Sequence, residues 1–208
     1  MANSISLTDL DETIINPSGS TIHFGNVSFP AETLTHLIKF NGRGNFSRLV
    51  STYVDVNDLT SGSSPTPESV FGNHINLVSI RNKEGDIWFS DGSTAISALN
   101  TILNNTVYSL QFSATTNARF EIIGSKLDYP INVVVPLGDS WLPVPVSVDV
   151  KINNSIGPFK GLLSSIVSII DNGGRMYEDT ELTSVVLKPG EGYYVRTSQP
   201  FTLTFNLW

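Results

Sequence analysis

The sequence contains no cysteine. Disulfides and thiolate metal sites are therefore excluded, and composition leaves the redox compartment unmarked. Cations are scarce as well: 12 Lys and Arg stand against 19 Asp and Glu, for a net charge of −7. A nucleic-acid surface needs clustered cations to displace phosphate counterions. The densest group here, Lys39, Arg43 and Arg48, is sparse, so nucleic acid is not an expected partner. Charged residues of both signs make up only 15% of the chain, below the usual level of about a quarter. Ser, Thr and Asn fill the polar positions instead, giving a neutral, hydrogen-bonding surface. No apolar run approaches the roughly 20 residues of a membrane span. The longest candidate, Leu162 to Ile170, is interrupted by Ser164, Ser165 and Ser168. Met1-Ala2-Asn3-Ser4-Ile5-Ser6 lacks the basic and apolar regions of a secretory signal. The expectation is a chain that neither enters a membrane nor leaves through a signal peptide.

Catalytic and ligating signatures are missing too. His23, His36 and His74 form neither H-E-x-x-H nor H-x-H, so metal-ligand spacing is absent. No Gly-x-Ser-x-Gly elbow occurs. Gly42-Arg43-Gly44 lacks the Gly-Lys-Ser/Thr of a phosphate loop. Asp9 and Asp11 open like a calcium loop, but Ile14 and Ser20 stand where Gly and Glu are required. Asp55, Asn57 and Asp58 offer either a weak cation site or a solvated turn, and the turn is the expectation. Sugar hydrolysis needs paired carboxylates, and only Asp55 and Asp149 stand out, each within a strand. No catalytic residue, metal or cofactor is expected.

What the chain does have is self-similarity. Leu77-Val78-Ser79-Ile80, followed by a turn and Gly85, matches Ile166-Val167-Ser168-Ile169, followed by a turn and Gly174, at constant spacing. Upstream, Val54-Asp55-Val56 matches Val148-Asp149-Val150; downstream, Leu103 through Tyr108 to Leu110 matches Leu187 through Tyr193 to Val195. A duplicated unit without a duplicated catalytic residue points to architecture before chemistry. The boundaries expected are residues 1–30 as an N-terminal arm, 31–128 as one β repeat and 129–208 as a second. The fold class expected is all-β with minor short helices, as two tandem sandwich-like or barrel-like units.

Along the chain, Ile14-Ile15 and Thr21 to Phe24 flank the turn signal Asn16-Pro17-Ser18-Gly19. Leu34 to Phe40 and Phe46 to Val56 read as strands. Pro67 to Phe71 reads as one helical turn ended by Gly72. Ile75 to Ile80 and Asp86 to Phe89 form a hairpin. The spacing of Ile96, Leu99, Ile102 and Leu103 predicts a short helix over 95–103. Val107 to Phe112 and Ala118 to Ile123 read as a closing hairpin. Ile131 to Leu137 is a continuous apolar run, typical of a buried strand. Pro143 and Pro145 place 141–146 at an edge or bulge, and a helical turn is expected at Leu162 and Leu163. Asn172, Gly173 and Gly174 signal a hairpin turn, since Asn and Gly tolerate positive φ. Pro189 and Gly190 suit a type II turn, and Gly192 is expected as a further structural residue of that turn. The aromatics Trp88, Trp141, Tyr193 and Tyr194, at strand positions, are expected to pack in cores.

One pattern carries a family resemblance. A strand ending in Val-Ser-Ile, a polar Gly turn and an aromatic precede Leu-x-Pro-Gly-x-Gly-Tyr and a further strand. Here these are Ile166 to Ile169, Asp171-Asn172-Gly173-Gly174, Tyr177, and Leu187-Lys188-Pro189-Gly190-Glu191-Gly192-Tyr193-Tyr194. The pattern resembles a repeat of structural proteins of tailed phages, notably marine, cyanophage-like ones, and of bacterial surface proteins. The resemblance covers mainly the second repeat; in the first, Asn104-Asn105-Thr106 replaces the Pro-Gly turn. It implies a non-enzymatic β module used in fibres, decorations and adhesins.

The functional expectation is a virion structural protein assembled in the host cytoplasm and exposed on the particle's outer surface, since acidic charge inside a capsid would be repelled by packaged genome. A head decoration or cement protein fits best, and a tail or fibre-associated protein is the alternative within that class. Partners would be the major capsid protein or tail proteins, and further copies of the chain, for instance as a trimer. Ile5, Leu7, Leu10, Ile14 and Ile15 on the arm, with Leu207 and Trp208 at the other end, are the subunit-contact candidates. A carbohydrate-binding adhesion module, with exposed tryptophans on a glycan, is the alternative from another class.

Overall fold

The computed structural model describes residues 13–15, 21–23, 33–42, 46–59, 64–72, 76–113 and 116–206. The chain divides into two units, Met1–Glu32 and Thr33–Trp208. In the first, strands β1 (Thr13–Ile15) and β2 (Thr21–His23) pair antiparallel, with Ile14 opposite Ile22. The other candidates of the expected arm, Ile5, Leu7 and Leu10, lie outside the described residues, as do Leu207 and Trp208.

The second unit opens with β3 (Thr33–Gly42), β4 (Phe46–Val50), β5 (Val54–Asp55), a 3-10 turn (Val56–Leu59) and helix α1 (Pro67–Phe71). It continues through β6 (Leu77–Arg81), β7 (Ile87–Phe89), β8 (Tyr108–Phe112) and β9 (Thr116–Lys126). These elements form the first half. The second half holds β10 (Ile131–Val135), β11 (Gly138–Pro143), β12 (Val150–Lys151), β13 (Ile166–Ile170), β14 (Met176–Glu178), β15 (Val186–Leu187), β16 (Gly192–Thr197) and β17 (Phe201–Phe205). Short 3-10 turns at Leu163–Ser165 and Asp179–Ser184 interrupt them. The protein is all-β in character, built from antiparallel sheets.

The two halves use one strand order. The first carries a four-stranded sheet β4-β8-β6-β7, the second β11-β16-β13-β14. Both sheets slip register at the same place: between Leu77 and Ser79 in the first and between Ile166 and Ser168 in the second. The flanking pairs agree as well, β3 with β9 and β10 with β17. Each half buries its own core. Val54, Ile80, Ile102, Leu110 and Phe112 lie in the first; Leu142, Ile152, Ile169, Val195 and Phe205 lie in the second. Each such side chain contributes about 1.5–3 kcal/mol over leaving it in water.

Local chemistry explains the small elements. Thr66 Oγ1 accepts from Ser69 N at 3.1 Å and Thr66 N donates to Ser69 Oγ at 2.9 Å, a reciprocal cap that starts α1 at Pro67. Both long hairpins turn through three residues and place a glycine in the left-handed region, Gly85 at φ 100° and Gly174 at φ 81°. In each hairpin the residue before the loop, Asn82 or Asp171, accepts loop N–H groups on one side-chain oxygen.

Several expectations are corrected. Residues 95–103 form no helix: Leu99 and Ile102 are buried while Ile96 and Leu103 face solvent. Ile87 N donates to Ser97 O and Leu99 N to Ile87 O, so the segment bridges to the free edge of β7 at Ala98. β8 and β9 are not a hairpin, because β8 pairs with β4 and β6 whereas β9 pairs with β3 and β5. The run 131–137 alternates instead of being buried throughout, with Val134 and Leu137 exposed. Its strand has a single neighbour, β17, and only one face meets the core. The match of Val54–Val56 to Val148–Val150 does not extend to structure. β5 pairs with β9 and β12 with β15, and Val54 is buried where Val148 is exposed.

Candidate functional site

The halves meet along a seam that β4 and the second hairpin build together. β4 is an edge strand with a free row of backbone groups, which would invite further pairing if left open. The second half covers it. Arg48 donates from Nη1 to Asn172 O at 2.8 Å. Leu49 N donates to Asn172 Oδ1 at 2.7 Å, and Asn172 Nδ2 donates to Leu49 O at 2.9 Å. Val50 bridges to Glu191, Ser51 N donates to Gly190 O at 2.9 Å, and Ser51 Oγ donates to Glu191 O at 3.1 Å. Val144 N in turn donates to the same Ser51 Oγ at 3.0 Å. Ser51 is completely buried, so these bonds replace ones that water would otherwise make.

The seam is roughly two-fold. Lys83, at the loop position corresponding to Asn172, donates to Ser140 Oγ at 3.0 Å. Ser140 pairs with Val195 in its sheet as Arg48 pairs with Leu110 in the other. Each hairpin loop thus reaches the edge strand of the opposite half, the reciprocal pattern of an isologous contact.

The predicted turn residues take distinct roles. Asn172, Gly173 and Gly174 do form the hairpin turn, but only Gly174 has positive φ; Asn172 serves the seam. Pro189 and Gly190 form the expected turn, with Gly190 at φ 70° and Glu191 N donating to Lys188 O at 3.2 Å. Gly192 is not a turn residue: it begins β16. A Cβ there would collide with Val107 Cγ1 and lie 2.9 Å from Leu49 Cβ, so the glycine permits close approach of the halves. The Asn104-Asn105-Thr106 segment also turns, at the position of the Pro-Gly turn it replaces. Asn105 sits at φ 58°, a conformation Asn adopts more readily than most residues. After both turns a buried tyrosine ties the loop back, Tyr108 Oη accepting from Leu103 N and Tyr193 Oη from Lys188 N, each at 2.8 Å.

Two clefts flank the seam. One, polar and about 390 Å³, is lined by Arg48, Asp171, Tyr177, Lys188, Glu191 and Tyr193. Its carboxylates act as acceptors: Asp171 takes Gly173 N, Arg175 N and Tyr177 Oη, and Glu191 takes Tyr193 Oη at 2.9 Å. Burial pushes the Glu191 carboxyl above its usual range, and burial together with the Glu191 charge pushes the Tyr193 phenol far up. Tyr193 Oη is therefore a fixed donor to Glu191. The proximity of Asp171 and Glu191 is a convergence of acids that sequence spacing did not signal.

The other cleft, also about 390 Å³ but mostly apolar, lies on the β11-β16-β13-β14 sheet. Trp141 and Tyr194 stand opposite one another there, edge to face, with centroids 6.1 Å apart. Tyr193 packs in the second core as expected, and Trp88 packs, partly buried, against the first. Tyr194 is instead 44% exposed and Trp141 half-buried, both lining the cleft. Arg196 grips Asp139 with two hydrogen bonds of 2.7 and 3.0 Å at its rim. That pairing holds the Asp139 carboxyl below its usual range.

Asp55 Oδ1 accepts from Asn57 and Asn104 in a turn, and Asp149 is paired to Lys188 Nζ at 2.6 Å. The two do not meet. His23 and His36 lie on β2 and β3, and His74 lies outside the described residues. Among the described residues no group of three or more His, Cys, Asp or Glu is placed to hold a metal ion, and no helix is long and apolar enough to cross a membrane. Comparison of the chain with protein-family models, curated proteins and solved structures gave no match.

Proposed function

We propose that the chain is a non-enzymatic structural protein on the outer surface of a tailed-phage particle, with head decoration as the first assignment and a tail or fibre position as the second. The observation that carries this reading is the seam. Its hydrogen bonds join two β-halves into one unit, so load applied to either half passes through a bonded seam rather than a hinge. The linker between the halves is also tied down: Leu127 is buried in the second core, and Tyr129 donates to Pro145 O at 3.0 Å. The Asp171 and Glu191 carboxylates are occupied by structural hydrogen bonds, which favours a mechanical role over acid–base chemistry. The charge of −7 suits a position away from packaged genome. Partners would be the major capsid protein or tail proteins. A homo-oligomer would multiply weak contacts by avidity.

Light scattering on the full chain and on a chain lacking residues 1–30 tests the reading. A stable oligomer that becomes monomeric on truncation is the expected result. A monodisperse monomer in both forms, or turnover of any polysaccharide, would count against it.

A second reading, a carbohydrate-binding adhesion module, is favoured by one observation: Trp141 and Tyr194 face a cleft and not a core.

A further inference from the structure

We infer that the Trp141–Tyr194 cleft is a binding site for a neutral oligosaccharide, with Trp141 as the wall between two adjoining subsites. The inference rests on the second reading above and is independent of the particle assignment.

The two-half architecture supplies an internal control. Leu49 and Ser109 face each other on β4 and β8 as Trp141 and Tyr194 face each other on β11 and β16. The same rung of the same sheet is therefore built with Leu and Ser in one half and Trp and Tyr in the other. Folding does not require the large aromatics. In the first half Asn172 and Gly192 lie against Leu49, which is buried, and the rung borders only a smaller cleft of about 160 Å³. In the second half it opens into the cleft. Aromatic area has been added where it stays accessible.

The chemistry around the rings selects the ligand. Trp141 and Lys83 line the larger cleft and also a smaller one of about 220 Å³ beside it, which holds Asn105 and Asn132. The larger falls in the range of small-ligand sites, roughly 300–1,000 Å³. Ionic side chains along both are Lys83 and Arg196 against Glu84, Asp139 and Glu178. That balance disfavours anionic ligands such as uronates, sialosides or nucleic acid. Ser140, Ser168 and the Arg196–Asp139 pair bring donors and acceptors next to the rings. The smaller cleft adds the amide residues Asn105 and Asn132 to its lining. A pyranose offers what both clefts lack, an apolar C–H face for the ring and hydroxyls around its edge. A ligand spanning both sides of Trp141 needs at least two linked sugars.

The test is titration of the full chain with neutral cello-, malto-, manno- and galacto-oligosaccharides, followed by tryptophan fluorescence and calorimetry. Sialyllactose, a heparin fragment and a proline-rich peptide are the comparison probes. At least one neutral oligosaccharide should bind saturably and more tightly than its monosaccharide. Tyr194→Ser and Trp141→Leu, which install the first half's residues, should each weaken it by about tenfold, the usual effect of truncating an anchoring aromatic. Thermal melts establish that both variants fold, and Trp88→Phe should bind normally. The proposal is overturned if no neutral probe binds, if Tyr194→Ser binds as well as the unaltered chain, or if only an anionic or peptide probe responds. None of these outcomes touches the particle assignment, which the solution mass decides separately.

Discussion

The side-chain amide of Asn172 exchanges two hydrogen bonds with the backbone of Leu49, at 2.7 and 2.9 Å, as a neighbouring strand residue would. One side chain in a hairpin loop thereby extends a sheet belonging to the other half of the protein. The backbone groups of Leu49 at the edge of β4 are satisfied without adding a further strand, which also blunts that edge against pairing with other chains.

Asn172→Ala should therefore destabilise the protein by about 2 kcal/mol, since two partly buried backbone groups lose their partner. Asn172→Asp should cost less at acidic pH than at neutral pH, because only a protonated carboxyl can donate to Leu49 O. Urea unfolding of the two variants, followed by circular dichroism at both pH values, checks this. Equal loss at both would show that the amide is not the source.

Gly192 stands opposite Val107 across the same seam, without room for a Cβ. Gly192→Ala should cost about 1–3 kcal/mol, the usual penalty for overpacking. Combined with Val107→Ala, which removes the colliding methyl, part of that loss should return. A double-mutant cycle measures the coupling; strict additivity of the two changes would place the strain elsewhere.

These contacts mark where sequence reading stops. The hairpin loops at Gly85 and Gly174 and the Pro189–Gly190 turn are legible because positive φ is a local demand with a local residue signature. The role of Asn172 is not, since its partner lies far away in sequence and a turn asparagine satisfies the local pattern equally well. Gly192 left a trace, a glycine at the start of a strand where the first half has valine. Residues 95–103 mislead for a different reason. Ile96, Leu99, Ile102 and Leu103 have helical spacing, yet only Leu99 and Ile102 are buried, and the free edge of β7 offers an alternative home for the backbone. Likewise the closeness of β8 and β9 in sequence suggested a hairpin, while their partners are strands formed much earlier in the chain. For Trp141, composition shows an aromatic on a strand but cannot show which face of an edge strand stays open.

Glu191 ties the seam to pH. Its carboxyl is raised chiefly by burial, so the folded protein holds this proton more firmly than the unfolded chain does. The associated stability is fully present below the ordinary glutamate range and is lost as pH rises through the raised folded value. Glu191→Gln keeps an acceptor for Tyr193 Oη and removes the ionisation. The variant should be more stable than the unaltered protein at neutral pH, with the difference shrinking as the solution is acidified. Melting temperatures of both proteins across the acid range read this directly, and a gap that widens on acidification would refute it.

The seam requires the two halves to behave as one body, and equilibrium unfolding watched separately in each half is the direct test. Trp88 packs against the first core and Trp141 lies on β11 in the second half. Variants retaining one of these tryptophans as the only indole report each half alone. The predicted result is coincident urea transitions with equal midpoints and slopes, matched by a single calorimetric transition. Two separated midpoints, with one half melting while the other stays folded, would contradict the account.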